Sequence, residues 1–154
     1  MPVLKIISGG QTGADQGGLE AGQELGLQTG GWAPRGWRTE LGSQPNLAGF
    51  GLKEFPSWQY PPRTRQNIRD SDATVIFGDI WKAGSKLTAN LCAKLDKPFI
   101  VIAMRGDGRQ AWAEFSDWIE SCSIETLNVA GNRESKYPGI QLWVRNFLVR
   151  ALRK

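Results

Sequence analysis

The chain contains no histidine, only two cysteines and only two tyrosines among its 154 residues. Without histidine there can be no imidazole general base, no Ser-His-Asp triad and no imidazole-dependent metal site, so any catalysis must use carboxylates, Lys, Tyr or Cys. Cys92 and Cys122 form no C-x-x-C pair and are too few for a disulfide framework or a zinc finger. They read as small core residues, and no metal ligand set is expected. Long apolar runs are also missing, as is an N-terminal basic-then-apolar leader, so the expectation is a soluble, cytoplasmic protein with no membrane partner. There is no internal repeat and no low-complexity tract. The net charge of +4 is concentrated in residues 133–154, which carry six basic residues and one acidic. Basic residues favour the C-terminal end of a helix through its dipole, so a solvated helix face explains this excess better than a nucleic-acid partner.

What is present begins with Lys5 to Gly22, where the apolar Val3 to Ile7 reads as a short buried strand and a glycine-rich run leads into a helical pattern. Strand, glycine loop and helix make a recurring anion-binding arrangement. Gly9 and Gly10 permit a sharp turn and close backbone approach, and the first turn of a helix offers unpaired N–H donors and the positive end of its dipole. Ser8, Gly9, Gly10, Gln11, Thr12 and Gly13 are therefore the first ligand-binding candidates, although the spacing matches neither G-x-x-x-x-G-K-[ST] nor the dinucleotide G-x-G-x-x-G register. Asp15 follows Thr12 by three positions, so the two can form a capping box, or Asp15 can serve as a catalytic carboxylate.

The length fits a single domain spanning residues 1–154. Gly13 to Leu25 reads as a helix whose Gly18, Ala21 and Gly22 let it lie close to a sheet, and Leu27 to Trp32 as a short strand. Residues 33–62 hold five of the eight prolines together with Gly36, Gly42, Gly49 and Gly51, which predicts an irregular connection. Further on, Arg63 to Asp70 reads as helix, Ala73 to Gly78 as a central strand and Gly84 to Leu95 as helix. Phe99 to Ala103 then reads as strand, Gln110 to Ser121 as helix, Thr126 to Ala130 as strand and Ile140 to Leu152 as helix. This alternation predicts an α/β fold, an open sheet of about five mostly parallel strands with helices on both faces and the ligand crevice at the strands' carboxyl ends.

Gly84, Ser85 and Thr88 stand at a second helix start after a strong strand, where they can cap the helix or contact phosphate. Arg63 and Asn67 share one helix face, and Arg65 and Arg69 another, so only one pair can face a pocket. Arg35 and Arg133 are further anion candidates. Trp32, Trp37, Trp58 and Trp81 can stack on a flat heterocycle or serve as a hydrophobic lid.

Taken in order, Ser8-Gly9-Gly10-Gln11-Thr12-Gly13-Ala14-Asp15, Gly31 to Gly36, Arg63-Thr64-x-x-Asn67-Ile68-x-Asp70-Ser71-Asp72, Gly84-Ser85-x-Leu87-Thr88 and Leu127 to Ser135 resemble the "putative molybdenum carrier" family. That family is similar in fold to the Rossmann-like group containing the "lonely guy" phosphoribohydrolases and the algal molybdenum-cofactor carriers. The resemblance implies a single-domain Rossmann-like sheet that binds a phosphorylated small molecule, with molybdenum cofactor as the candidate cofactor, and it selects Arg63, Thr64 and Asn67 as the pocket-facing set. Similar folds often form homo-oligomers. The phosphoribohydrolase glutamate of P-G-G-x-G-T-x-x-E has no counterpart after Gly84, so whether the chain is an enzyme stays open. A binding protein is the first reading, and a nucleoside-monophosphate hydrolase using Asp15 or Asp72 is the alternative.

Overall fold

A computed structural model describes residues 2–81, 83–106 and 108–153. Strand β1 is Lys5–Ser8, helix α1 Ala14–Glu24 and strand β2 Gln28–Ala33. A two-stranded hairpin, β3 (Arg38–Thr39) with β4 (Gly42–Ser43), leads to a 3-10 helix at Pro45–Phe50 and to β5 (Leu52–Glu54). There follow α2 (Tyr60–Arg69), β6 (Ala73–Phe77), α3 (Ala83–Lys94), β7 (Phe99–Ile102), α4 (Arg109–Cys122), β8 (Thr126–Gly131) and α5 (Ile140–Leu152).

Six strands form one Rossmann-like sheet in the order β5-β2-β1-β8-β6-β7, and every pair in it is parallel. The expected five strands are therefore corrected to six. The extra strand is β5, three residues on the sheet edge in which only Leu52 is buried, too short to show a pattern in sequence. It lies in the stretch expected to be irregular, which instead holds the hairpin, the 3-10 helix and β5. Its glycines and prolines punctuate these short elements: Pro45 opens the 3-10 helix and Gly51, with φ of 84°, closes it. Helix α2 also starts three residues earlier than expected, because Pro61 and Pro62 occupy its first turn, where a missing N–H costs nothing.

The strands alternate faces. Ile6, Val75, Phe77, Leu127 and Val129 join α1, α4 and α5 in the larger core, where Phe77, Phe115, Trp143 and Phe147 stack edge to face or in parallel. Helices α2 and α3 pack together with Ile68, Leu91 and Cys92 between them. Helix α1 lies close to the sheet: a Cβ on Gly18 would come within 2.7 Å of Val129 Cβ. Because α1 leaves β1 on one face and α3 leaves β6 on the other, the carboxyl edge of the sheet opens between them, on the side of α2 and α3. No helix among the described residues is long and apolar enough to cross a membrane.

Candidate functional site

A cleft of about 600 Å³ opens at that carboxyl edge, within the size range of small-molecule sites. Gly9, Gln11 and Asp15 line it from the first loop and α1, Tyr60, Arg63, Thr64 and Asn67 from α2, and Gly84, Ser85, Leu87 and Thr88 from α3. Asn128 to Arg133 and Lys136 complete it. Of the residues singled out in the sequence, Ser8, Gly10, Thr12, Gly13, Arg35, Arg65, Arg69 and Asp72 do not line it, nor do Trp32, Trp37, Trp58 and Trp81.

The glycine loop departs from its expected role. Its N–H groups were expected to face a ligand, yet they are taken by the protein itself. Gly10 N–H donates to Ser8 Oγ at 3.3 Å, Gln11 N–H to Asp15 Oδ2 at 3.2 Å, Thr12 N–H to Gln11 Oε1 at 3.1 Å and Gly13 N–H to Gln141 Oε1 at 3.0 Å. Ala14 N–H donates to Asn132 O. The anion this loop holds is the carboxylate of Asp15. The capping box between Thr12 and Asp15 does not form either: Gly13, with φ of 84°, is the N-cap and α1 has no side-chain cap. Thr12 Oγ1 instead donates to Glu40 of the hairpin and accepts from Glu134 N–H.

Arg63 dominates the floor of the cleft. It is 8% exposed, and its Nη1 stands 3.6 Å from Asp15 Oδ2. A Cβ added to Gly9 would fall on the guanidinium, so the absent side chain of Gly9 is the space Arg63 fills. The guanidinia of Arg63 and Arg133 lie 5.3 and 5.6 Å from the Tyr60 ring centroid, and that of Arg38 4.6 Å from it. Burial pushes the Asp15 carboxyl up to about 6, against the opposing pull of Arg63, Gln11 N–H, Arg133 and Gly9 N–H. The same burial lowers Arg63, and the Asp15 charge opposes it. Two buried donors, Gln11 Nε2 and Arg63 Nε, have no protein acceptor among the described residues. Among the described residues, the cations Arg63, Arg133 and Lys136 thus line the cleft with the single carboxylate Asp15.

Elsewhere in the cleft, Asn67 spends its amide on the main chain. Its Oδ1 accepts from Trp32 N–H at 2.9 Å and its Nδ2 donates to Trp32 O at 3.1 Å, which prolongs the ladder of β2 beyond the end of β1. Thr88 Oγ1 donates to Gly84 O at 3.0 Å. Ser85 Oγ accepts from Asn132 Nδ2 at 3.0 Å, which leaves its own proton to donate. Arg35 is exposed on the turn after β2, where its N–H pairs with Ser57 O.

Asp72 is a correction of another kind. It precedes β6, at the amino end of the sheet, where its Oδ2 accepts from Glu125 N–H and Thr126 N–H at 3.0 and 2.9 Å. It holds β8 in register and is separated from the cleft by the length of the strands. Cys92 is buried between α2 and α3, and no group of three or more His, Cys, Asp or Glu residues able to hold a metal exists among the described residues.

Three positions that line the cleft were not among the ligand-binding candidates. Asn128 and Asn132 are buried amides in and just after a strand that also holds the apolar Leu127, Val129 and Ala130. Asn132 joins the loops after β6 and β8, since its Oδ1 accepts from Asp79 N–H and its Nδ2 donates to Asp79 O and Ser85 Oγ. Tyr60, one of only two tyrosines, opens α2 before two prolines.

A family model described as the circularly permutated YpsA SLOG family matches residues 6–152. The chain is also similar to a solved structure described as a putative molybdenum carrier protein from Syntrophus aciditrophicus SB. The two are 36% identical, with a TM-score of 0.89 over 97% of this chain and 94% of the other. No curated protein matches the chain.

Proposed function

The chain belongs to the circularly permutated YpsA SLOG family, and from that premise we propose that it binds a phosphorylated small molecule in the cleft at the carboxyl edge of its sheet. The observation that carries this reading is the buried guanidinium of Arg63, seated on Gly9 with its Nε unpartnered. A buried donor without an acceptor is costly, and a guanidinium fork suits phosphate oxygens. Ser85 at the start of α3 can donate to the same oxygens, and Arg133 adds positive charge.

The similar protein from Syntrophus aciditrophicus is described as a molybdenum carrier, which supports molybdenum cofactor, or a related phosphorylated pterin or nucleotide, as the ligand. The donor set fits the organic part of such a cofactor: cations and hydroxyls suit a phosphate, while neither thiol nor imidazole lines the cleft. In molybdenum cofactor the metal rides on the pterin's own sulfurs, so Arg63, Ser85 and Arg133 would hold the phosphate and the protein need supply no metal ligand. No specific observation favours the hydrolase alternative, because Asp15 is the one carboxylate that lines the cleft among the described residues and it is engaged by Gln11 N–H and Arg63.

Calorimetric titration with molybdenum cofactor, molybdate, GMP, AMP and ribose 5-phosphate tests the proposal. Saturable binding of the phosphorylated compounds is expected. Binding of molybdate alone would remove the phosphate reading, and nucleotide binding without cofactor binding would remove the carrier reading.

A further inference from the structure

Asn128 sits in the middle of β8, in register with Ile7 of β1 and Thr74 of β6, in a strand whose neighbours Leu127 and Val129 are fully buried. Its side chain is on the face covered by α2 and α3, and the residue is 3% exposed. Nδ2 donates to Thr74 Oγ1 at 3.1 Å, and Thr74 is itself fully buried. With Nδ2 turned to Thr74, the acceptor Oδ1 is turned the other way, and its exposure is to the cleft. Asn128 nevertheless lines the cleft, with Thr64 of α2 and Leu87 of α3 alongside. A buried amide held at one end, with its acceptor left over beside a cleft, is built to receive an N–H group. Of the hydroxyls that line the cleft, Thr88 Oγ1 is directed to Gly84 O.

We propose that Asn128 determines which heterocycle the cleft accepts: its Oδ1 takes a hydrogen bond from a ring N–H or amino group of the ligand, whose phosphate lies toward Arg63. This rests on the phosphorylated-ligand reading above and narrows it to ligands that carry an N–H-bearing ring. Leu87 offers an apolar contact to such a ring, and Thr74 acts as the positioning residue that keeps the amide from turning over.

The test compares GMP and AMP with ribose 5-phosphate, which has a phosphate and no ring N–H. Each is titrated into the wild-type protein, Asn128→Leu, Thr74→Val and Arg63→Met. In Asn128→Leu the tighter of the two nucleotides is expected to bind about tenfold more weakly, the worth of one buried hydrogen bond, with ribose 5-phosphate unchanged. Thr74→Val is expected to weaken the same nucleotide by about threefold through the freed amide, and it carries the test should the leucine variant not fold. Arg63→Met is expected to weaken all three. Nucleotide binding unaltered in both Asn128→Leu and Thr74→Val, or nucleotide and ribose 5-phosphate weakened equally, would overturn the role of Asn128 while leaving phosphate recognition intact. No binding of any of the three by the wild-type protein would overturn the phosphorylated-ligand reading, and this inference with it.

Discussion

Replacing Gly9 by alanine isolates the contact on which the site is built. Gly9 has no left-handed backbone, so alanine adds no main-chain strain there, unlike Gly10 and Gly13 with φ of 77° and 84°. The new methyl would fall on Nη1 and Cζ of Arg63 and within 3.0 Å of Nε. The guanidinium must therefore leave its seat and, with it, its contacts to Asp15 at 3.6 Å and to the Tyr60 ring centroid at 5.3 Å. Overpacking of this kind costs about 1–3 kcal/mol. A charge-assisted contact from Arg63 to phosphate is worth about 1.5–3 kcal/mol, so displacing it weakens binding about ten- to a hundredfold. Titration with ribose 5-phosphate and urea unfolding should show both losses in Gly9→Ala. Gly10→Ala should lose stability only, because its methyl would meet Leu47 and Leu52 at 2.9 Å and not Arg63. Unchanged affinity and stability in Gly9→Ala would refute the packing of Arg63 on Gly9.

Three other predictions follow from the same geometry. The folded state holds the Asp15 proton up to about pH 6, whereas an ordinary Asp releases it near 3.8, so this group's contribution to stability is greatest below about pH 4 and is lost as pH rises through 6. For the same reason sulfate, whose charge is constant over that range, should bind more tightly at pH 5 than at pH 7.5, and Asp15→Asn should flatten the profile; calorimetry at the two values checks this. Burial acts to raise the Glu40 carboxyl, but hydrogen bonds from Ser135 and Thr12 and the charge of Arg133 outweigh it and hold it below its usual range. Glu40→Gln should therefore loosen the β3–β4 hairpin, read as faster hydrogen exchange over residues 38–43, with no change at α5. Asn132→Ala leaves the Asp79 peptide without its partners, which should cost about 2–3 kcal/mol in urea unfolding.

The alternation of strands and helices was legible because its buried strands are continuous apolar runs, as Ala73 to Phe77 shows. The three-residue β5 was not, since its pairing to β2 is a tertiary fact with no local period. At the site, the helix face shared by Arg63 and Asn67 could be read from spacing. The choice between it and the face of Arg65 and Arg69 came from the family resemblance, and in the structure Arg63 and Asn67 are the buried pair. What spacing could not convey is where donors go. The glycine loop has the composition of an anion cradle, but its own neighbours Ser8, Gln11 and Asp15 take three of its N–H groups, and Gln141, 128 residues away, takes that of Gly13. Asp72 stands immediately before the strand that begins at Ala73, and in a parallel sheet that position is at the amino end, away from the crevice, so its place was legible in the sequence once the strand was assigned.

The central claim is that the cleft recognises a phosphorylated ligand through Arg63. Titrating ribose 5-phosphate into the wild-type protein and Arg63→Met at pH 7.5 tests it most directly. One-to-one saturable binding that falls at least about tenfold in a folded Arg63→Met variant is the result predicted. Equal binding by the two proteins, or none by the wild type, would contradict it.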